Sequence, residues 1–296
     1  MTDSTLAYEA YRRLVRLEHV RGGALETAFP TLGRGSMAGA CDRQIGFQML
    51  DAEPSEQTTD ATLLAFHTGH HLHELVQEAM QFFYGMECES KVDLRPIGYD
   101  ISGHADGVYE HDGKRIVFEL KTKKAYPFRK ARNPGSSRER QMELNEVQQA
   151  GMYALAVGAD AIHIVYLAKD NFGTAFKPRD HIQAGETIEW MLDLDDPVPG
   201  DGRTVREVSQ LEAERINRIS EQIKSDELPA RNIPGWGIDG RVDVLPQPGS
   251  SDGPWRCRYC DFWGLCDTMP AQALSLDDVL IPLKNGQWIN REQFED

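Results

Sequence analysis

The sequence has no apolar run approaching the ~20 residues that a membrane-spanning helix needs, so nothing in it reads as a bilayer span. Its first twenty residues, MTDSTLAYEAYRRLVRLEHV, carry acids and no continuous apolar stretch, which argues against a signal peptide. There are no internal repeats. Gly33, Gly35 and Gly39 do not form a G-x-G-x-x-G and follow no strand, so a dinucleotide loop is dismissed. Cysteine is scarce and odd in number, five in 296 residues. A secreted disulfide framework is therefore disfavoured, and a reducing, cytoplasmic setting with ligating or buried thiols is expected. Positive charge is also short, with 32 Lys and Arg against 47 Asp and Glu and a net charge of -15. Taken as a sum, that opposes a nucleic-acid partner.

What is present changes the picture. Hydrophobic residues at 40% are enough for a sizeable core. The missing positive charge is concentrated in one place. Between Lys121 and Arg140 stand eight basic residues (Lys121, Lys123, Lys124, Arg129, Lys130, Arg132, Arg138, Arg140) against one acid, Glu139. By itself such a run is a solvated loop; its position after the acidic pair described next gives it weight.

Apolar spacing predicts helices over 5–20, over 61–84 from an Asp60 cap with Leu64, Leu72, Leu75, Val76, Ala79 and Phe83 buried, and over 203–225 with Val205, Val208, Leu211, Ile216, Ile219 and Ile223 inward. A Ser136–Glu139 capping box opens another helix that closes at Gly158. Strands are expected near 90–95, 100–109, 114–122, 161–169 and 172–177, the last two joined by a turn at Asp170-Asn171, with loops over 21–40 and 228–254. Strands interleaved with helices make an α/β protein.

The chemistry lies in SGHADGVYEHDGKRIVFELKTKK, residues 102–124. Asp112-Gly113 signals a two-residue type I′ hairpin. That turn sets His111 opposite Lys114, Asp106 opposite Glu119 and His104 opposite Lys121. Like charges directly opposed on two strands are destabilising, and a divalent cation shared by the two carboxylates is the usual compensation. Alternation puts Glu119 and Lys121 on one face and Ile116, Phe118 and Leu120 in the core. Carboxylates, a metal and an ammonium on one patch suit attack of water on a phosphate. Without Asp106, an E-x-K triplet would be an ordinary exposed strand.

Asp106 followed by Glu119-Leu120-Lys121 resembles the D…(D/E)-x-K signature of the PD-(D/E)XK nuclease superfamily, with Ala105 where the motif's proline stands. Gln149 and Tyr153 resemble the Q-x-x-x-Y of its RecB-like branch, and Gly69…His73 resembles that branch's G-x-x-x-H. His67, His70 and His71 are neighbouring alternatives. Cys257-x₂-Cys260-x₅-Cys266 is a metal-site spacing that Zn²⁺ would also satisfy. With Cys41 upstream it resembles the iron–sulfur nucleases of this branch, among them the AddB nuclease domain and the CRISPR-associated RecB-like exonucleases. Cys88 is left as a separate thiol.

The resemblance implies a restriction-endonuclease-like mixed sheet flanked by helices, with a C-terminal Cys-rich iron–sulfur lobe. It implies one nuclease domain over 1–296: an N-terminal helical segment with the first cluster cysteine (1–60), a catalytic core (61–185), a helical and iron–sulfur lobe (186–270) and a tail without assigned role (271–296). Asp106, Glu119, His73 and the carbonyl of Leu120 would hold Mg²⁺ or Mn²⁺, Lys121 would activate water, and Gln149 and Tyr153 would border the cleft. Cys41, Cys257, Cys260 and Cys266 would carry a [4Fe–4S] cluster, shielded by Trp255, Tyr259, Phe262 and Trp263. Lys123, Lys124, Arg129, Lys130 and Arg132 would follow the DNA backbone, with Tyr126 and Phe128 stacking on unpaired bases. The expected activity is exonucleolytic hydrolysis at single-stranded or frayed DNA ends, in repair, recombination or CRISPR adaptation, with proteins of those pathways as partners. The alternative is a non-catalytic iron–sulfur protein that binds DNA or senses redox state.

Overall fold

A computed structural model describes residues 13, 14, 16, 33–55, 59–132, 142–171, 181–236, 240–246, 254–284 and 286–289. The helix expected over 5–20, the capping box at Ser136 and Glu139, and the strand expected at 172–177 lie largely or wholly outside these residues. The chain divides into two compact units: Arg34–Ala38 with Gly69–Arg215, and Met1–Gly33 with Gly39–Thr68 and Ile216–Asp296.

The first unit is built on a six-stranded mixed sheet. Its strands are β1 (Gly33–Arg34), β2 (Glu87–Asp93), β3 (Ile101–His111), β4 (Lys114–Lys123), β5 (Ala161–Ala168) and β6 (Thr187–Asp193), in the order β1-β3-β4-β5-β6 with β2 also on β3. The pairs β2/β3, β3/β4 and β5/β6 are antiparallel, and β4/β5 is parallel. A parallel neighbour needs a crossover. Here it contains α2 (Ala125–Arg132) and α3 (Leu144–Val157), which follow the long α1 (Asp60–Tyr84) and precede α4 (Val205–Lys224).

The Asp112-Gly113 turn forms as expected. Both residues have positive φ, 50° and 75°, which gives the type I′ twist, and the pairs run from His111↔Lys114 to Gly107↔Phe118. One face of β4 supplies Ile116, Phe118 and Leu120 to a core with Met86, Tyr109 and Val165, closed by Leu72, Val76 and Met80 of α1. Each such side chain contributes about 1.5–3 kcal/mol on burial. The opposite face, with Glu119 and Lys121, is covered by α3. Both faces of β5 are therefore buried, and its run A-I-H-I-V-Y-L-A is apolar apart from His163 and the Tyr166 hydroxyl.

Several expectations need correction. On α1 the inward stripe is Leu72, Val76 and Met80. Leu75, Ala79 and Phe83 form the adjacent stripe and are exposed. Steps of three and four can thread either stripe, and only the sheet decides between them. On α4 five of the six expected residues are buried, while Leu211 is half exposed. The basic stretch is partly helical, because Pro127 falls in the first turn of α2, where no N–H is required of it. Asp170 and Asn171 serve as side-chain acceptors: the Asp170 carboxylate takes the N–H of Ala125, and Asn171 Oδ1 takes that of Ala184 at 2.8 Å. β6, which pairs with β5, has no counterpart among the expected elements. Gly158 does end α3, at φ 64°.

The second unit has little regular structure around its core. A helix over Asp42–Met49 carries Arg43, fully buried, whose guanidinium donates to the carbonyls of Pro229 (2.9 Å), Pro270 (2.6 Å), Ala271 (3.4 Å) and Gln272. The tail over 271–296 contributes buried Leu276, Val279 and Ile281 and a short antiparallel pair, Ile281–Pro282 with Trp288–Ile289. Among the described residues no helix is long and apolar enough to cross a membrane.

Candidate active site

The β3/β4 ladder stops at Gly107↔Phe118, one pair short of Asp106 and Glu119. The Asp106 side chain continues it instead, Oδ2 accepting the main-chain N–H of Leu120 at 2.7 Å. That bond fixes the carboxylate at the edge of β4. His73 Nδ1 from α1 lies 3.6 Å from the same oxygen. α1 comes close to β4 at Gly69, where a Cβ would sit 3.2 Å from Thr122 Oγ1. Gln77, one turn beyond His73, donates to the carbonyl of Asp106 at 2.9 Å and to Glu89 at 2.7 Å.

Glu119 is buried, and Lys121 Nζ stands 2.6 Å from its Oε1 and 3.3 Å from Gln149 Oε1 on α3. Gln149 in turn hydrogen-bonds Tyr153. The hydroxyl-bearing edge of the Tyr153 ring lies close against two glycines: a Cβ on Gly35 would meet its Cζ at 2.6 Å, and one on Gly103 its Cε1 at 2.9 Å. The structure thus brings together His73, Asp106, Glu119, Lys121, Gln149 and Tyr153.

Burial pushes the Glu119 carboxyl up to about 7; the Lys121 ammonium opposes this and the Asp106 charge adds to it. Burial disfavours the Lys121 charge too, but the attraction of Glu119 outweighs it, and the ammonium is held above its ordinary range. Tyr153 is raised by burial and then by the charges of Glu119 and Asp106, with Arg34 acting the other way. Arg34, Gly35, Gly103 and Gln77 therefore belong to the site's surroundings and were not singled out by sequence. Gly103, three residues before Asp106, gave a local hint; the others gave none.

The donors fit a hard divalent cation in chemistry: two carboxylates, an imidazole 3.6 Å from one of them, and a buried Glu119 Oε2 with no hydrogen-bond partner. Among the described residues, however, no group of three or more His, Cys, Asp or Glu side chains is gathered as a single ion would require. Glu119 Oε1 is instead engaged by Lys121. Leu120 contributes its N–H to Asp106 and a fully buried side chain to the core.

Other expected residues are placed differently. His104 is exposed and pairs with Lys91 of β2 along one edge of β3, while on the other edge the β3/β4 ladder ends before reaching it. His70 and His71 are exposed on α1 beside Glu74, and His67 falls in the other unit. Of the basic residues, Lys123 pairs with Glu146 (2.6 Å) and Glu143 (3.3 Å), and Arg132 with Glu186 (2.6 Å). Lys124 and Lys130 are exposed, and Arg129 and Lys130 flank the half-exposed Tyr126 ring. Phe128 cannot stack on bases as expected, because it is fully buried on the inner side of α2.

In the second unit Cys41, Cys257, Cys260 and Cys266 line one cavity with Arg43 and Arg231. None of the four is in a disulfide. Burial, with the other cysteines nearby, pushes Cys257 and Cys260 up to about 12 and raises Cys41. Trp263 lines the cavity and Phe262 packs on Phe47 at 5.3 Å. Tyr259 points outward, 79% exposed, so it does not shield the cavity; the Trp255 side chain lies outside the described residues. Cys88 stands apart on β2, against the sheet core.

Comparison with solved structures finds "Crystal structure of SSO0001" at 15% identity, covering 89% of this chain and 97% of that one with a TM-score of 0.48. It also finds an alkaline exonuclease (LHK-Exo) from Laribacter hongkongensis at 9% identity, covering 67% and 94%, TM-score 0.35. The same exonuclease in complex with dAMP matches at 10% identity, covering 67% and 92%, TM-score 0.38. No curated protein matches. The model of the PD-(D/E)XK nuclease superfamily matches residues 16–267. That span takes in Asp106, Glu119 and Lys121, and the chain belongs to the PD-(D/E)XK nuclease superfamily.

Proposed function

We propose that the protein is a metal-dependent DNA exonuclease that hydrolyses phosphodiester bonds at single-stranded or frayed ends. The observation that carries the reading is the Lys121 ammonium held 2.6 Å from Glu119 and 3.3 Å from Gln149, beside a carboxylate fixed by the Leu120 N–H. Asp106, Glu119 and His73, with the Leu120 carbonyl, would hold Mg²⁺ or Mn²⁺. When bound, such an ion supplies Lewis acidity at the phosphate and a water of lowered pKa. Lys121 orients the attacking water and stabilises charge gathering on the phosphate oxygens. Gln149 fixes the ammonium from the helix side, and Tyr153 fixes Gln149. Lys124, Arg129 and Lys130 beside Tyr126 give the strand a cationic and aromatic approach, with Lys123 and Arg132 nearby in ion pairs.

The four cysteines are read as ligands of a [4Fe–4S] cluster. Their convergence on one cavity supports this. The cluster would link residue 41 to residue 266 and stabilise by closing a long loop. DNA repair, recombination and CRISPR adaptation are the settings that suit such an enzyme.

The test is cleavage of end-labelled single and double strands by anaerobically purified protein with Mn²⁺, wild type beside Lys121→Ala. The expected result is trimming from ends by wild type and a loss of roughly 10²-fold or more in the variant. Equal cleavage by the two would overturn the site. Broad absorbance near ~400 nm, lost in Cys257→Ser, supports the cluster over zinc.

A further inference from the structure

A second polar cluster lies beside the Glu119–Lys121 pair. Lys123 Nζ stands 2.6 Å from Glu146 Oε1 and 4.4 Å from the centre of the Tyr166 ring. The Tyr166 hydroxyl donates to Glu146 Oε2 and accepts the N–H of Glu143 at 2.9 Å. That amide belongs to the residue capping α3, one of the donors a helix start leaves without an intrahelical acceptor. Glu146 and Tyr166 are both buried.

The placement of these groups is informative. Tyr166 is the β5 partner of Lys121, and Lys123 follows two residues on, so all three share the face of the sheet under α3. On α3 itself, Glu146, Gln149 and Tyr153 are spaced three and four apart and share the facing side. A buried ion pair and a tyrosine hydroxyl therefore tie the helix that presents Gln149 and Tyr153 to the strand that presents Glu119 and Lys121. The Glu146 charge also acts on both Glu119 and Lys121.

We propose that Lys123 and Glu146 are positioning residues, a strut that sets the distance between Gln149 and Lys121, and that Lys123 makes no contact with DNA phosphate. The proposal rests on the nuclease reading above. Sequence alone assigns Lys123 to the cationic track, but its ammonium is committed to a buried carboxylate. Removing Lys123 leaves the buried Glu146 charge uncompensated, and removing Glu146 leaves Lys123 only the more exposed Glu143 at 3.3 Å; a shift of about 1 Å at a reacting group is enough to slow chemistry by roughly 10²-fold.

The experiment uses the full chain and end-labelled DNA, with cleavage kinetics in Mn²⁺ and binding by anisotropy in EDTA over a range of NaCl. Lys123→Met is expected to lower kcat roughly 10- to 100-fold with KM within about twofold, and to leave the slope of log Kd against log [NaCl] unchanged. Lys123→Arg is expected to recover most of kcat. Lys130→Ala is expected to reduce the salt slope by about one. A Lys123→Met protein that loses about one unit of salt slope, with kcat intact, overturns the proposal. A thermal-melt cycle of Lys123→Met, Glu146→Gln and the double variant reads the strut without DNA. The double variant should melt no lower than the worse single, and strictly additive losses overturn it. Coupled melts with an inactive wild type would sink the nuclease reading and leave the strut; an active wild type with additive melts does the reverse.

Discussion

Replacing Gly103 with alanine tests whether Tyr153 is fixed by its close approach to Gly35 and Gly103. Gly103 has an ordinary φ, so alanine there incurs no backbone strain, and stiffening the unfolded chain alone would stabilise by about 0.4–1 kcal/mol. The ring decides the sign. The new methyl would meet Tyr153 Cε1 and Cζ at 2.9 Å each, and the hydroxyl closer still, well inside the ordinary carbon–carbon separation of about 3.5–4 Å. Tyr153 is 2% exposed and the same ring edge also lies against Gly35, so it has little free space to move into. Overpacking of this kind costs about 1–3 kcal/mol, or a Tm lower by roughly 2–10 °C for a protein of this size. The displaced hydroxyl also disturbs Gln149 and, through it, Lys121. Nuclease activity should therefore fall by roughly 10²-fold for a shift of about 1 Å. Melts and cleavage rates of Gly103→Ala, Tyr153→Leu and the double variant give the check. In the Tyr153→Leu background, the alanine should add little to either loss, because the two sites are in contact. A Gly103→Ala protein with wild-type Tm and rate, or strict additivity in the double variant, would refute the reasoning.

Asp106→Asn keeps an oxygen for the Leu120 N–H and should melt near wild type, whereas Asp106→Ala orphans that N–H and should cost about 1–3 kcal/mol. Both should lose cleavage, so the melts separate the ladder role from the chemical one, and equal Tm values would contradict it. Arg43→Met leaves the carbonyls of Pro229, Pro270 and Gln272 without their guanidinium donor, each at about 1–3 kcal/mol, while that of Ala271 keeps the Arg231 N–H. It should therefore yield protein whose Arg43-bearing unit is digested rapidly by protease at room temperature, and wild-type resistance would dismiss the account. Gly113→Ala places a Cβ at φ 75° and should lower stability by about 1–2 kcal/mol without changing cleavage of saturating DNA, as read by urea melts and initial rates.

The parts of the fold legible in the sequence were those fixed locally. Asp112-Gly113 permits one tight turn, and from it the register of β3 and β4 follows as far as Gly107 and Phe118. Gly158 ends its helix because only a residue at ease with positive φ fits there. What stayed hidden depends on which groups meet across long separations. The ladder's end at Asp106 is set by a side chain competing for the Leu120 N–H, and no pattern of apolar residues encodes that competition. His104 misled for that reason, since its predicted partner assumed a ladder that continues. Lys123 misled for another: a run of basic residues reports the sign of the charge and not the partner, and Glu146 is twenty-three positions away. The stripe on α1 held at Leu72 and Val76 and missed at Leu75, Ala79 and Phe83, because Leu75 and Leu72 are equally apolar and only the sheet chooses between them. The candidate site is most legible where it obeys strand alternation, at Glu119 and Lys121. It is least legible at Gly35, whose one distinguishing property is the absence of a side chain where Tyr153 lies. A site can be recognised by the residues that perform chemistry, but the residues that hold those in place are chosen by shape, and shape enters only once the chain is folded.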